Sequence, residues 1–321
     1  MASLQRRIRH EAGYALLRIL LGGARAVPLA VLRRVGAVAG RMALPLARRD
    51  RRRALANLEL AFPEHERAWR RALAARCAGH LGTLLGEVAW LWSARESAIL
   101  ARTRFDGLEH LTGSLLPDRG AILATGHCGN WEWLNLALGA SGVRMTAAAR
   151  EVYDPRLDEV ARRLRGRFGG ETALRGRGAG GKLVQAIRRG RVDGLLIDQD
   201  IDAPGVFVEF FGHPAWTPTG AALLALRMRC PVVAGFAGRL PDGTMHLSFS
   251  PPVEPAPGPD LDTAVARLTA ELTAHIERQV RVHPEQWVWM HRRWRHQPGE
   301  GDTVWRARPG ETEVNQVSGR A

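Results

Sequence analysis

Two stretches of this chain are apolar at every position, Ala121-Ile122-Leu123-Ala124 and Leu195-Leu196-Ile197. A strand with one wet face alternates polar and apolar residues, so strands without that alternation belong inside a sheet covered on both faces. Further apolar runs at 143–149, 207–211, 232–237 and 245–249 read as strands, and helical patterns at 130–138, 155–168, 181–189, 219–228 and 261–282 lie between them. The expected fold class is therefore α/β, a central mixed sheet flanked by helices. In such a sheet, ligands gather beyond the carboxyl ends of the strands.

The first hundred residues have a different texture. Helical stretches at 54–60 and 66–92 are separated by Phe62-Pro63, and proline belongs outside a helix interior. From 12 to 46 the chain is apolar between Arg18, Arg25, Arg33, Arg34 and Arg41, as in Leu16-Leu17 and Ile19-Leu20-Leu21. These arginines interrupt any run long enough to span a bilayer and rule against a signal peptide, but suit a helix lying in a membrane interface. The basic run Arg48 to Arg53 follows directly and suits an anionic leaflet. Three parts are expected: an amphipathic membrane-associating helical segment over 1–46, an α/β unit over 47–296, and a flexible polar tail over 297–321.

Charge narrows the partners. With 46 basic and 32 acidic residues the chain carries +14, and Lys182 is its only lysine. Guanidinium groups match phosphates and carboxylates, so anionic lipids, phosphorylated glycolipids, acidic carrier proteins and nucleic acids all fit. The three cysteines, Cys77, Cys128 and Cys230, lack the spacing of a zinc site or a disulfide scaffold.

Chemistry concentrates where the first all-apolar strand ends, in Gly126-His127-Cys128-Gly129-Asn130-Trp131-Glu132. Asn130 suits a helix N-cap, and a strand-to-helix turn folds an imidazole back over the first helical turn, within reach of Glu132. A carboxylate holding one ring nitrogen leaves the other to take a proton from a hydroxyl, which is general-base activation of an alcohol. The plainer alternative is that Glu132 complements the helix dipole and His127 closes a turn. Asp198 and Asp200 end a second buried strand, where they either orient an acceptor or an arginine, or stabilise their own turn.

The turn resembles the His-x4-Asp/Glu motif of the lipid A biosynthesis acyltransferases, the lauroyl and myristoyl transferases of the wider glycerolipid acyltransferase-like group. Other segments are similar to that family in the same order: Asn57 to Pro63, Asp198-Gln199-Asp200 with Phe210-Phe211-Gly212 and Thr217 to Gly220, and Pro284 to Trp287 with Trp289 to Trp294. The likeness spans most of 14–295. It implies transfer of a fatty acyl chain from an acyl-carrier-protein thioester, or alternatively acyl-CoA, to a hydroxyl of a phosphorylated lipid A precursor. It also implies a place at the cytoplasmic face of the inner membrane, with His127 as base, Glu132 as its partner, and no metal or organic cofactor. Arg150 resembles a family arginine that binds phosphate or the developing oxyanion, and Arg150, Asn130, Asp198 and Asp200 are the expected substrate-binding residues. Cys128 stands where the family often has an aromatic residue.

Three rivals remain. A related acyltransferase with a phosphoinositide-mannoside-like acceptor would keep the same fold and base. A nucleic-acid-binding protein explains the charge but not the Gly-His-x4-Glu turn. The glycine run Gly176 to Gly181 before Lys182 approaches a phosphate-binding loop, but Leu183 stands where a magnesium-binding hydroxyl is needed. A glycine-rich entry to a helix is the better reading of that run.

Overall fold

The computed structural model describes residues 11, 14, 21–151, 154–176, 178–307 and 314–316. Leu16, Leu17, Ile19 and Leu20, part of the expected membrane-associating stretch, lie outside the described residues, as does most of 308–321.

The expected α/β architecture is present. Strands β1 (Thr103–Asp106), β2 (Ala121–Thr125), β3 (Met145–Ala149), β4 (Glu171–Leu174), β5 (Val192–Leu196), β8 (Val232–Arg239) and β9 (Met245–Phe249) form one seven-stranded sheet. Their order is β1-β9-β8-β2-β5-β3-β4, parallel except where β8 and β9 run antiparallel. The two all-apolar runs are its central pair: β2 and β5 lie side by side, Ala121 opposite Val192 and Thr125 opposite Leu196. Both faces are covered, Ile122 and Ala124 packing in one apolar cluster and Leu123 in another.

The strand expected at 207–211 belongs elsewhere. It is β6 (Gly205–Phe210), antiparallel to β7 (His213–Pro218) in a second, four-stranded sheet. The two-residue connection Phe211-Gly212 has φ of 54° and 76°, the left-handed pair that matches hairpin twist. Phe211 is held in that conformation by its N–H donating to Glu277 at 2.7 Å and by ring contacts with Phe62 and Trp289. Residues 303–305, within the stretch read as a polar tail, form β10 (Thr303–Trp305) against β6, with Val304 buried.

After a 3-10 turn at Ala24–Ala26 come three long helices, α1 (Leu29–Leu46), α2 (Arg48–Ala61) and α3 (Arg67–Leu91); α4 (Glu96–Leu100), α5 (Leu108–Thr112), α8 (Ala179–Ile187) and α9 (Gly220–Met228) follow later in the chain. Glycines bring α1 and α3 into backbone contact: a Cβ on Gly82 would stand 1.9 Å from the Gly36 carbonyl oxygen, and one on Gly40 2.0 Å from that of Ala78. The inner side of α1 is thereby fixed. Its outer side carries Val31, Val35, Val38, Met42 and Leu46, spaced to share one face and all exposed, Met42 at 69% and Leu46 at 85%. No helix among the described residues is long and apolar enough to cross a membrane.

Among the buried charged residues, one lies within a central strand. Asp193 of β5 is buried, and neither carboxylate oxygen has a hydrogen-bond partner among the described residues. Burial pushes its pKa up to about 8 despite the opposing pull of Arg191. The folded state therefore holds a proton that the unfolded chain releases near its ordinary value of about 4. This contribution to stability is complete below about pH 4 and is lost as pH rises through about 8. Asp193→Asn is expected to flatten the fall of the melting temperature between about pH 5 and pH 9; parallel melting curves for the two proteins would refute the assignment.

Candidate active site

Strand β2 ends in Gly126-His127, and the chain turns there into α6 (Trp131–Ala140). Gly126 suits the packing, because a Cβ at this position would lie a tight 3.1 Å from the Asp198 carboxylate. Gly129 has φ of 63° and touches the Ala237 carbonyl, where no side chain fits. Asn130 caps α6, its side-chain oxygen accepting from the Trp133 N–H at 3.0 Å.

The imidazole of His127 is held by Asp198, not by Glu132. His127 Nδ1 lies 2.8 Å from Asp198 Oδ1, and the His127 backbone N–H donates to Asp198 Oδ2 at 2.7 Å. Trp287 Nε1 donates to the same Oδ2 at 2.8 Å. A carboxylate only accepts, so Nδ1 carries the proton and Nε2 keeps its lone pair. Burial alone would raise the Asp198 carboxyl, but the imidazole and the N–H donors outweigh it and hold the group well below the usual carboxylate range.

Glu132 instead grips Arg165, at the end of α7 (Pro155–Arg165), with Arg165 Nε 3.0 and 3.1 Å from its two oxygens. The expected contact with His127 assumed that the nearest carboxylate in sequence is the nearest in space. The sheet places β5 beside β2, so the carboxylate just past β5 arrives first.

Two other expectations meet the structure in different places. Asn130 is fully buried, with its amide donating to Glu87 at 2.9 Å, and is not among the residues that line the cavity described below. Asp200 accepts from the His296 backbone N–H at 2.7 Å and pairs with its ring and with Arg295, anchoring the segment after Trp294. Their short polar side chains are consumed by the fold.

Beneath the Asn130 corner lies a buried ion cluster. Glu87 of α3 receives Arg33 of α1 at 2.7 Å, Arg239 of β8 at 2.6 Å, and Asn130. Arg239 also donates to His80 Nδ1, whose Nε2–H reaches the Gly129 carbonyl at 3.1 Å. Burial, with the charge of Arg239, lowers His80 to about 4, so it stays neutral and serves as the donor to Gly129.

His127, Trp131, Glu132, Arg150 and Arg165 line one cavity of about 370 Å³. Its deeper walls are apolar: Leu123, Leu134, Met145, Ala147, Ala173, Gly194 and Leu196. Gly194 opens the floor, and the Met145 terminal methyl lies 3.1 Å from where a Cβ of Gly194 would stand. The arrangement combines a polar mouth bearing a base with an apolar slot, which suits an acyl chain whose reactive end stops beside His127.

Sequence reasoning missed Gln199, His291 and Arg165. Gln199 Nε2 lies 2.8 Å from His291 Nε2 and 3.2 Å from His127 Nε2, and the two imidazoles meet edge to face at 4.8 Å. Burial lowers His291 to about 4, and the neighbouring His127 adds to the shift, so His291 is neutral and accepts from Gln199. His127, Asp198 and His291 bring donor atoms within 4.8 Å of one another, a set able to approach a metal ion. Both Asp198 oxygens are already engaged by N–H donors. Gln199 and His291 lay inside two of the segments that carry the resemblance, which was the available signal; nothing local ties Arg165 to Glu132.

Comparisons with known proteins bear on the family of the chain as a whole. The family model for bacterial lipid A biosynthesis acyltransferase matches residues 2–296. The chain is 29% identical over 279 residues to the lipid A biosynthesis lauroyltransferase of Escherichia coli, covering 85% of this chain and 88% of the relative. It is 26% identical over 277 residues to the palmitoleoyltransferase of the same organism, covering 85% and 87%. A phosphatidylinositol mannoside acyltransferase of Mycobacterium tuberculosis is 27% identical over 197 residues, covering 59% and 58%.

Proposed function

Since the chain belongs to the bacterial lipid A biosynthesis acyltransferase family and is thus an O-acyltransferase, we propose that it moves a fatty acyl group from an acyl-carrier-protein thioester to a hydroxyl of a phosphorylated lipid A precursor. The observation that carries this reading is the His127–Asp198 pair at the mouth of an apolar cavity.

With Nδ1–H fixed on Asp198, His127 Nε2 accepts the acceptor's hydroxyl proton as the oxygen attacks the thioester carbonyl. The tetrahedral intermediate collapses by breaking the C–S bond. The departing thiolate takes the proton from the imidazolium, which returns the base to its starting state. Asp198 stabilises the transient imidazolium and fixes its tautomer. Glu132 acts one step removed, by aiming the Arg165 guanidinium along the cavity wall toward the carbonyl oxygen that gains charge. A lipid A precursor is favoured over a phosphoinositide-mannoside acceptor by the larger share of chain matched in the lipid A enzymes, and carrier protein over coenzyme A by the sequence resemblance alone.

The acceptor is a lipid, and the exposed stripe of α1 suits its source. Val31, Val35, Val38, Met42 and Leu46 face outward, with exposed Arg34, Arg41, Arg48, Arg49 and Arg52 nearby. Apolar residues entering the headgroup boundary and arginines meeting phosphates are the two components of interfacial binding. In this reading residues 1–46 meet the cytoplasmic face of the inner membrane, 47–296 carry out the chemistry, and 297–321 are peripheral to it.

His127→Ala is expected to lower transfer by about a hundred- to ten-thousand-fold in a mass-spectrometric assay with acyl-carrier protein and a lipid A precursor. Asp198→Asn should also lower kcat, by up to about ten-thousandfold; wild-type rates in either folded variant would overturn the base assignment.

Met145→Ala deepens the slot and should shift the preferred acyl group by about two carbons toward longer chains. An unchanged product distribution would place the chain end elsewhere.

Val35→Asp with Met42→Asp should weaken sedimentation with anionic vesicles by about tenfold while leaving the melting temperature intact. Equal sedimentation would remove α1 from the membrane contact.

A further inference from the structure

The segment that supplies Trp287 to Asp198 and His291 to Gln199 continues two residues further to Arg293, whose exposure is 0%. Arginine is rarely taken wholly out of water unless a carboxylate meets it. The other buried arginine among the described residues, Arg191, has Glu171 at 3.4 Å. Arg293 meets uncharged groups instead. Its Nη1 donates to the Trp216 carbonyl and its Nη2 to Thr217 Oγ1, both at 2.7 Å on β7. Its face lies 4.8 Å over the Phe210 ring, and its Nε has no partner among the described residues.

A cation buried in this way needs negative charge somewhere near. Asp198 and Asp200 both have side chains with 0% exposure, and both draw on Arg293 through space. Burial outweighs them and pushes the guanidinium down to about 10, which leaves it charged at neutral pH. Asp200 has a cation of its own, Arg295 at 3.3 Å, and the His296 ring at 2.6 Å. Asp198 has none: its three donors are the His127 backbone, the His127 ring and the Trp287 indole. An aromatic path joins it to the buried arginine. Arg293 lies over Phe210, Phe210 packs on Trp287 at 5.6 Å, and the Trp287 N–H reaches Asp198 at 2.8 Å.

We propose that Arg293 is a positioning residue for the base: its buried charge, acting across Phe210 and Trp287, is the counter-charge of Asp198 and keeps His127 free to accept a proton. A cation in direct contact would compete for the Asp198 lone pairs that orient the imidazole. One held behind two aromatic rings balances the anion without displacing those N–H donors, because charges interact over longer distances where water is excluded. Without Arg293, the imidazole would become the nearest source of positive charge for Asp198, and a proton on His127 would be favoured before any hydroxyl arrived. The other charged or titratable groups around the base are the neutral His291, with Arg53 near it, and the Glu132–Arg165 pair on the cavity wall. The inference rests on the acyltransferase reading for its kinetic consequence but not for its electrostatics.

The first test is a double-mutant cycle on the full chain, read by melting temperature, with Arg293→Met, Asp198→Asn and their combination. Arg293→Met is expected to lower the melting temperature by about 6 °C in the wild-type background and by less than about half of that beside Asp198→Asn. Thr217→Val removes one acceptor of Arg293 but no charge, and should cost the same in both backgrounds. Equal losses from Arg293→Met in the two backgrounds would overturn the proposal and leave Arg293 as a tether to β7. If Arg293→Met fails to fold alone, folding restored by adding Asp198→Asn supports the proposal, and failure in both backgrounds overturns it.

The second test is the pH dependence of kcat/KM for acyl transfer. In Arg293→Met the acid limb should move up by about one pH unit. Arg293→Lys, which keeps the charge, and Thr217→Val should both stay within about 0.3 unit of wild type. A limb that does not move in folded Arg293→Met, or that moves equally in Arg293→Lys, would overturn the proposal. Failure of wild type to transfer any acyl group, with the stability coupling between positions 198 and 293 intact, would count against the acyltransferase reading alone.

Discussion

The candidate site depends on one carboxylate. Asp198 is buried and collects three N–H donors: the His127 backbone, the His127 ring and the Trp287 indole. A buried anion is costly unless its lone pairs are occupied, and these donors satisfy it while joining three separate parts of the chain. The end of β2, the end of β5 and the segment after α10 (Leu261–Val282) meet at this group. Gly126 lets the carboxylate approach closely, since a Cβ there would stand only 3.1 Å from it.

A second buried anion supports the first from below. Glu87 ties α3 to α1 through Arg33, to the sheet through Arg239, and to the start of α6 through Asn130. Breaking one partner of such a cluster leaves a buried charge uncompensated, so the cluster fixes the corner carrying His127 more firmly than surface pairs would. The same contacts seat α1 with its glycines against α3, which leaves its apolar stripe facing outward. Placement of the base and presentation of the lipid-facing surface are in this way linked through one side chain.

Much of this was legible from local patterns. The runs at Ala121 and Leu195 identify central strands because a strand covered on both faces has no reason to alternate. Asn130 reads as an N-cap and is one. The short strands β1, β4 and β7 escaped notice because Thr103–Asp106, Glu171–Leu174 and His213–Pro218 are brief and mixed in character. They gain their pairing from neighbours remote in sequence, as β1 does from β9 and β4 from β3. The hairpin of β6 and β7 has a local cause in Phe211-Gly212, but phenylalanine rarely adopts positive φ and so gives no turn signal.

The sequence by itself determined the layered α/β class, the strand-to-helix turn at His127 and the family to which that turn belongs. Apolar periodicity, capping residues and spaced motifs express short-range physics that survives without coordinates. Only the tertiary structure decided which carboxylate meets the imidazole, which arginine Glu132 holds, and which apolar residues line one cavity with the base. Those outcomes follow from strand order and register. Parallel pairing sets Asp198 beside His127 across a gap of 71 residues, a distance over which sequence proximity carries no information about contact.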